Sequence, residues 1–161
     1  MSTWTNKQTE AHKNALTALA VVDNILGFVK DGKGKPSVDE RALFAAAVVF
    51  AYGIWENYVE QLAIELAEKL SPAVAPDRVP DVVKTHLDKK TAWELVISPG
   101  WRHLWKAQVK KQAVGDGDSY GMNTAKAGQV KALLAWSGVD DTFAAIPSSI
   151  VPRSEEHTSE L

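Results

Sequence analysis

The chain has no cysteine, which excludes a disulfide framework, a thiolate metal site and a cysteine nucleophile together. It has no charge excess either: 18 Lys and Arg stand against 20 Asp and Glu, so no field of one sign draws it to nucleic acid or anionic lipid. Residues Met1 to Glu10 are polar and lack the basic-then-apolar layout of a secretory signal. The longest charge-free run, Ala42 to Trp55, has 14 residues. A membrane span needs roughly 18 or more. No stretch alternates apolar and polar residues with the period of two that marks a strand. What is present suits a globular domain with one core: 161 residues, 45% apolar and 24% charged. The expectation is a soluble, cytoplasmic, all-α protein that needs neither metal nor cofactor.

The apolar rhythm places the helices. Leu16, Leu19, Ala20, Ile25, Leu26 and Val29 predict a first helix from about Thr9 to Val29, broken by Asp31-Gly-Lys-Gly-Lys-Pro36. Ser37 and Glu40 form an S-x-x-E capping box that opens a long helix from Val38 to Leu70, the dominant element of the chain. Its first half is apolar nearly all round, so it should be central to a bundle or shared with a partner. Its second half should bury Ile54, Tyr58, Leu62, Leu66 and Leu70, with Glu60, Glu68 and Lys69 opposite.

Beyond Pro72 and Pro76, Asp77 is placed to cap a helix from about Val79 to Lys90, with Pro80 in its first turn. Thr91 to Ile97 is ambiguous. Trp101 to Val114 should be helical, with Trp101, Leu104, Trp105 and Val109 on one side, and Asn123 should cap a last helix ending at Trp136 and Gly138.

Most motif-like strings fail on their chemistry. Gly27-Phe-Val-Lys-Asp-Gly32-Lys33 nearly spells a phosphate-binding loop, but Gly34 replaces its hydroxyl residue and a helix, not a strand, precedes it. Asp116-Gly-Asp118 starts like a calcium loop, yet Ala127 occupies the position of the bidentate glutamate. His12, His86 and His103 have no second ligand at helical spacing.

Two features call for a functional reading. Arg102, Lys106 and Lys110 interleave with Trp101 and Trp105, a strip that could hold phosphates while bases stack. Helix amphipathicity alone also explains it, with the tryptophans in the core and the cations in water. Glu56 interrupts the apolar helix, which fits either a polar groove at a helix or subunit junction or the solvent edge where the amphipathic half begins.

The last nine residues, Arg153 to Leu161, read RSEEHTSEL, the in-frame translation of the sequencing adapter AGATCGGAAGAGCACACGTCTGAACTC. They are expected to be an artefactual tail on a domain of residues 1–152. Without them the basic and acidic residues balance at 17 each.

Ala42-Leu-Phe-Ala-Ala-Ala-Val-Val-Phe-Ala-Tyr-Gly-Ile-Trp-Glu56-Asn-Tyr-Val-Glu60 resembles the central helix of HEPN domains, closest to the RiboL-PSP group with its aromatic–Glu–x–aromatic signature. The proline-rich link, the tryptophan-bearing middle region and Leu133-Leu-Ala-Trp-Ser-Gly138 continue the likeness from about Ser37 to Ile146. The resemblance implies a helical bundle that forms a homodimer, often a metal-independent endoribonuclease of toxin–antitoxin or anti-phage systems acting on RNA. Its active motif is Arg, four to six residues, then His, on the last long helix. No such pair occurs here, since Arg78 and His86 are separated by seven residues and Arg153 and His157 by three. The expectation is therefore a HEPN-like chain whose last helix and catalytic motif would have followed Pro152. The alternative is a non-catalytic all-α module for protein, nucleotide or RNA binding.

Overall fold

The computed structural model describes residues 9–29, 34–89, 91–118, 120–123 and 126–139. The adapter-like tail, the residues after Val139 and most of the glycine-rich string after Val29 lie outside them, as does His157.

Among the described residues six α-helices follow one another: α1 (Glu10–Leu26), α2 (Val38–Leu70), α3 (Asp81–His86), α4 (Ala92–Val96), α5 (Trp101–Val114) and α6 (Ala127–Trp136). No strand occurs among the described residues, so the protein is an all-α bundle built on one long central helix. The capping box forms: the Ser37 hydroxyl accepts from the Glu40 N–H at 3.1 Å, and the Glu40 carboxylate accepts from the Ser37 N–H at 2.7 Å. Two orphan donors are thereby satisfied at the start of α2.

α1 returns along α2 as an antiparallel hairpin. Asn14 donates to Gln61 across the pair at 3.0 Å, and the Glu65 carboxylate accepts the first N–H groups of α1, from Glu10 at 3.4 Å and Ala11 at 3.2 Å. A carboxylate at a helix N-terminus meets unpaired donors and the positive end of the helix dipole.

The core lies on another side of α2 and only along its C-terminal half. Val59, Ala63 and Ala67 are buried there with Trp101, Trp105, Val109 and Ala113 of α5 and Val130, Leu133 and Leu134 of α6. The deepest stripe of α2 is thus Val59–Ala63–Ala67, one position away from the expected Leu62 and Leu66, which are half-buried. Small side chains at 63 and 67 leave room for Trp105, which is fully buried. The Trp105 indole N–H donates to the Trp136 carbonyl at 2.7 Å, and the Ser137 hydroxyl donates to the Ala63 carbonyl at 2.9 Å, tying α6 to both neighbours.

Several boundaries differ from expectation for local reasons. Asp77 sits inside a short 3-10 turn, Pro76–Arg78, and Pro80 occupies the N-cap of α3. That helix stops at His86, and Asp88 then turns the chain at φ 52°. The ambiguous stretch becomes α4 through a second capping box, Thr91 with Glu94. Asn123 does not cap α6, which begins after Lys126. Before it, the chain is held against α5 by the Met122 N–H donating to the Ala113 carbonyl at 2.9 Å. Gly138 has the expected left-handed conformation, φ 92°. Leu104 faces water at 52% exposure instead of joining Trp101 and Trp105.

Candidate functional site

At 100° per residue, Val48, Tyr52, Val59 and Ala63 share one face of α2, because their spacings are 4, 11 and 15 residues. The lower part of that face is covered and the upper part is not. Val59 and Ala63 are 1% and 0% exposed, whereas Val48 is 68% exposed and neighbouring Val49 70%. Phe44, Tyr52 and Trp55 are also exposed around this arm. α1 lies on a different side of α2, where Ala47 is buried and Leu43, Ile54 and Tyr58 are half-buried.

The first half of α2 is therefore not enclosed by the described residues. It forms, with α1, an arm whose apolar surface is wet. Isolated exposed apolar residues are ordinary, but a contiguous patch along one helix marks an interaction site. α2 is also long and apolar enough to cross a membrane by composition, while little of its most apolar stretch is buried.

Glu56 is half-buried on this same face, at the level where the core begins. Its neighbour one turn on is Glu60, whose carboxyl is held above the usual carboxylate range by burial and by the charge of Glu56. No group of three or more metal-ligating side chains occurs among the described residues. His86 meets the Trp136 ring edge-on, with centroids 5.5 Å apart, and Asp116 pairs with Lys111 at 2.7 Å.

Arg102, Lys106 and Lys110 fall on one stripe of α5, beside the buried one. Arg102 is engaged structurally: its Nε donates to the Ser71 carbonyl at 2.8 Å and its guanidinium lies 4.3 Å from the Trp101 ring centroid. Trp101 and Trp105 are 5% and 0% exposed, so neither offers a face on which a base could stack. The amphipathic explanation accounts for this strip. A shallow hollow of about 270 Å³ beside α3 is lined by Asp81, Lys84, Thr85, Asp88 and Lys89, and its Asp81–Lys84 ion pair, at 2.8 Å, is exposed on the Asp side.

Sequence reasoning singled out Glu56 but not Val48 and Val49, the most exposed apolar pair of the face. The signal was the all-round apolar character of the first half of α2 set against a chain with few other long helices to cover it. No known protein family, curated protein or solved structure matches the chain. The fold and the arm together define a class no narrower than an all-α helical protein with an apolar face that the described residues leave uncovered.

Proposed function

We propose that this protein is a helical interaction module that works through the uncovered face of α2 around Val48 and Tyr52. The observation that carries the reading is the continuity of that face: the same stripe that is sealed by α5 at Val59 lies open at Val48. Covering it removes apolar surface from water without stranding a charge, since Ala42 to Trp55 contains none. The HEPN resemblance around Trp55 and Glu56 supports a second and narrower reading, in which the natural parent is an endoribonuclease with an antitoxin partner. RNA cleavage by that parent, lost when the histidine of its Arg-x4–6-His motif is replaced, would favour it.

The module reading is tested by placing a photo-crosslinking amino acid at position 48 in cells, with position 110 as control. A discrete adduct from position 48 and none from 110 is the expected result. Absence of any adduct from position 48 would overturn it.

A further inference from the structure

Resting on that reading, we infer that the partner enters as an amphipathic α-helix, with an apolar stripe and a lysine or arginine on its flank, laid in the groove between α1 and α2.

The groove is set by how the hairpin pairs. α1 meets α2 through Ala11, which is buried, and through Ala15, Ala18, Val22 and Ile25, which are half-buried. The Asn14–Gln61 hydrogen bond marks one side of the pair. At 100° per residue, Leu16 lies about 160° round α1 from Asn14, and Val48 lies about 140° round α2 from Gln61, so both belong to the opposite side. One wall there is Leu16, Leu19 and Leu26, between 38% and 50% exposed, and the other is Phe44, Val48 and Trp55, between 41% and 68% exposed.

A helix is the occupant this shape takes. Two helices lying side by side leave a groove between their ridges into which a third can pack. No strand occurs among the described residues, so an extended peptide finds no sheet edge to join. From Phe44 to Trp55 the α2 wall rises about 16 Å, or three turns, which a partner helix matches with apolar side chains at i, i+3 or i+4, i+7 and i+11.

One carboxylate sets the partner's charge. Asp23 is the only charged residue from Asn14 to Val29, and Ala42 to Trp55 has none. Leu16, Leu19, Asp23 and Leu26 are spaced 3, 4 and 3 apart, so Asp23 shares the leucine stripe of α1. The register fixed by Asn14 and Gln61 brings it level with Tyr52, within the length of the groove. Asp23 is exposed, and its carboxylate makes no ion pair with another described residue. A wholly apolar partner would dry this charge without compensating it, whereas a cation on the partner's flank pairs with it. A bilayer would set it among acyl chains, which is costlier still.

The test uses three synthetic helical peptides of about 18 residues, alike in a leucine stripe and differing only in Lys, Gln or Glu beside its middle turn. Each is titrated into the full chain by fluorescence anisotropy. The Lys peptide should bind about 10-fold more tightly than the Glu peptide, with the Gln peptide between them. Asp23→Lys should invert that order. Val48→Asn should weaken all three peptides about 10-fold, and Leu104→Asn, exposed but off the groove, should weaken none. Circular dichroism checks that each variant keeps its helices. No binding, equal binding, or an order that survives Asp23→Lys would overturn the inference. So would a dimer or vesicle flotation that Val48→Asn abolishes, since the groove would then belong to a second copy or to lipid. A position-48 adduct with a protein, found together with no charge preference among the peptides, removes the helical cationic partner and leaves the module reading standing. Absence of any adduct removes both.

Discussion

Val48 and Val59 leave α2 on the same face three turns apart, yet Val59 is 1% exposed and Val48 is 68% exposed. Identical side chains on one helix face have been given opposite surroundings by the reach of α5, which ends part-way along α2.

Truncating these two valines should therefore have separable effects. Val59→Ala removes buried methyl groups and leaves a cavity in the core that α2 shares with α5 and α6, so it should cost about 2 kcal/mol of stability. Val48→Ala should change the stability of a single chain by less than about 0.5 kcal/mol. Denaturant midpoints at low protein concentration, where association does not contribute, measure the difference.

The two buried serines should also respond with opposite signs. The Ser137 hydroxyl bridges α6 to the Ala63 carbonyl, whereas the Ser71 hydroxyl is buried without a hydrogen-bond partner. Ser137→Ala should cost about 1 kcal/mol. Ser71→Ala removes a hydroxyl that was dehydrated for nothing and should leave the protein as stable or more stable, by up to about 1 kcal/mol. Equilibrium unfolding of both variants decides it.

Glycine-to-alanine changes divide in the same way. A Cβ on Gly121 would lie 2.2 Å from the Ala113 carbonyl oxygen and 2.6 Å from the Gly115 nitrogen, both backbone atoms. Gly121→Ala should then pry the segment off the end of α5, at about 2–3 kcal/mol. Gly128 lies within α6 with nothing near its missing Cβ, so Gly128→Ala should stabilise by up to about 1 kcal/mol through helix propensity. Thermal melts of the two variants should move in opposite directions.

How far the sequence was legible follows from which signals are local. α2 and α5 begin and end where the sequence places them, because a capping box opens one and glycines flank the other. α4 stayed ambiguous, because its five residues are too few for a hydrophobic period to be seen, although Thr91 and Glu94 repeat the capping-box spacing of Ser37 and Glu40. The start of α6 was not, because a tertiary contact, Met122 on Ala113, holds the chain where Asn123 offered a local cap. The open face lay beyond reach for the same reason. Its composition is visible in the sequence, but which side of an all-apolar helix α5 covers, and how far up, is set by packing.

The carboxylates of Glu60 and Glu65 should give stability two opposed dependences on pH. Hydrogen bonds from Lys69 and from the Ala11 and Glu10 N–H groups outweigh the effect of burial and hold Glu65 below its ordinary range. An acid held low stabilises the fold above its unfolded pKa, about 4.3, and loses that contribution as pH falls through the lower folded value. Glu65→Ala should accordingly cost about 1–2 kcal/mol at neutral pH, and less as the solution is acidified below pH ~4. Glu60 works the other way. Burial and the Glu56 charge raise it, so its ionised form opposes folding and stability is lost as pH rises from the unfolded value through the raised one. Glu60→Gln should stabilise the protein at neutral pH, with the advantage disappearing in acid. Equilibrium denaturation of both variants from pH 3 to 8 tests this, and a Glu60→Gln variant no more stable than the parent at neutral pH would remove the Glu60 part.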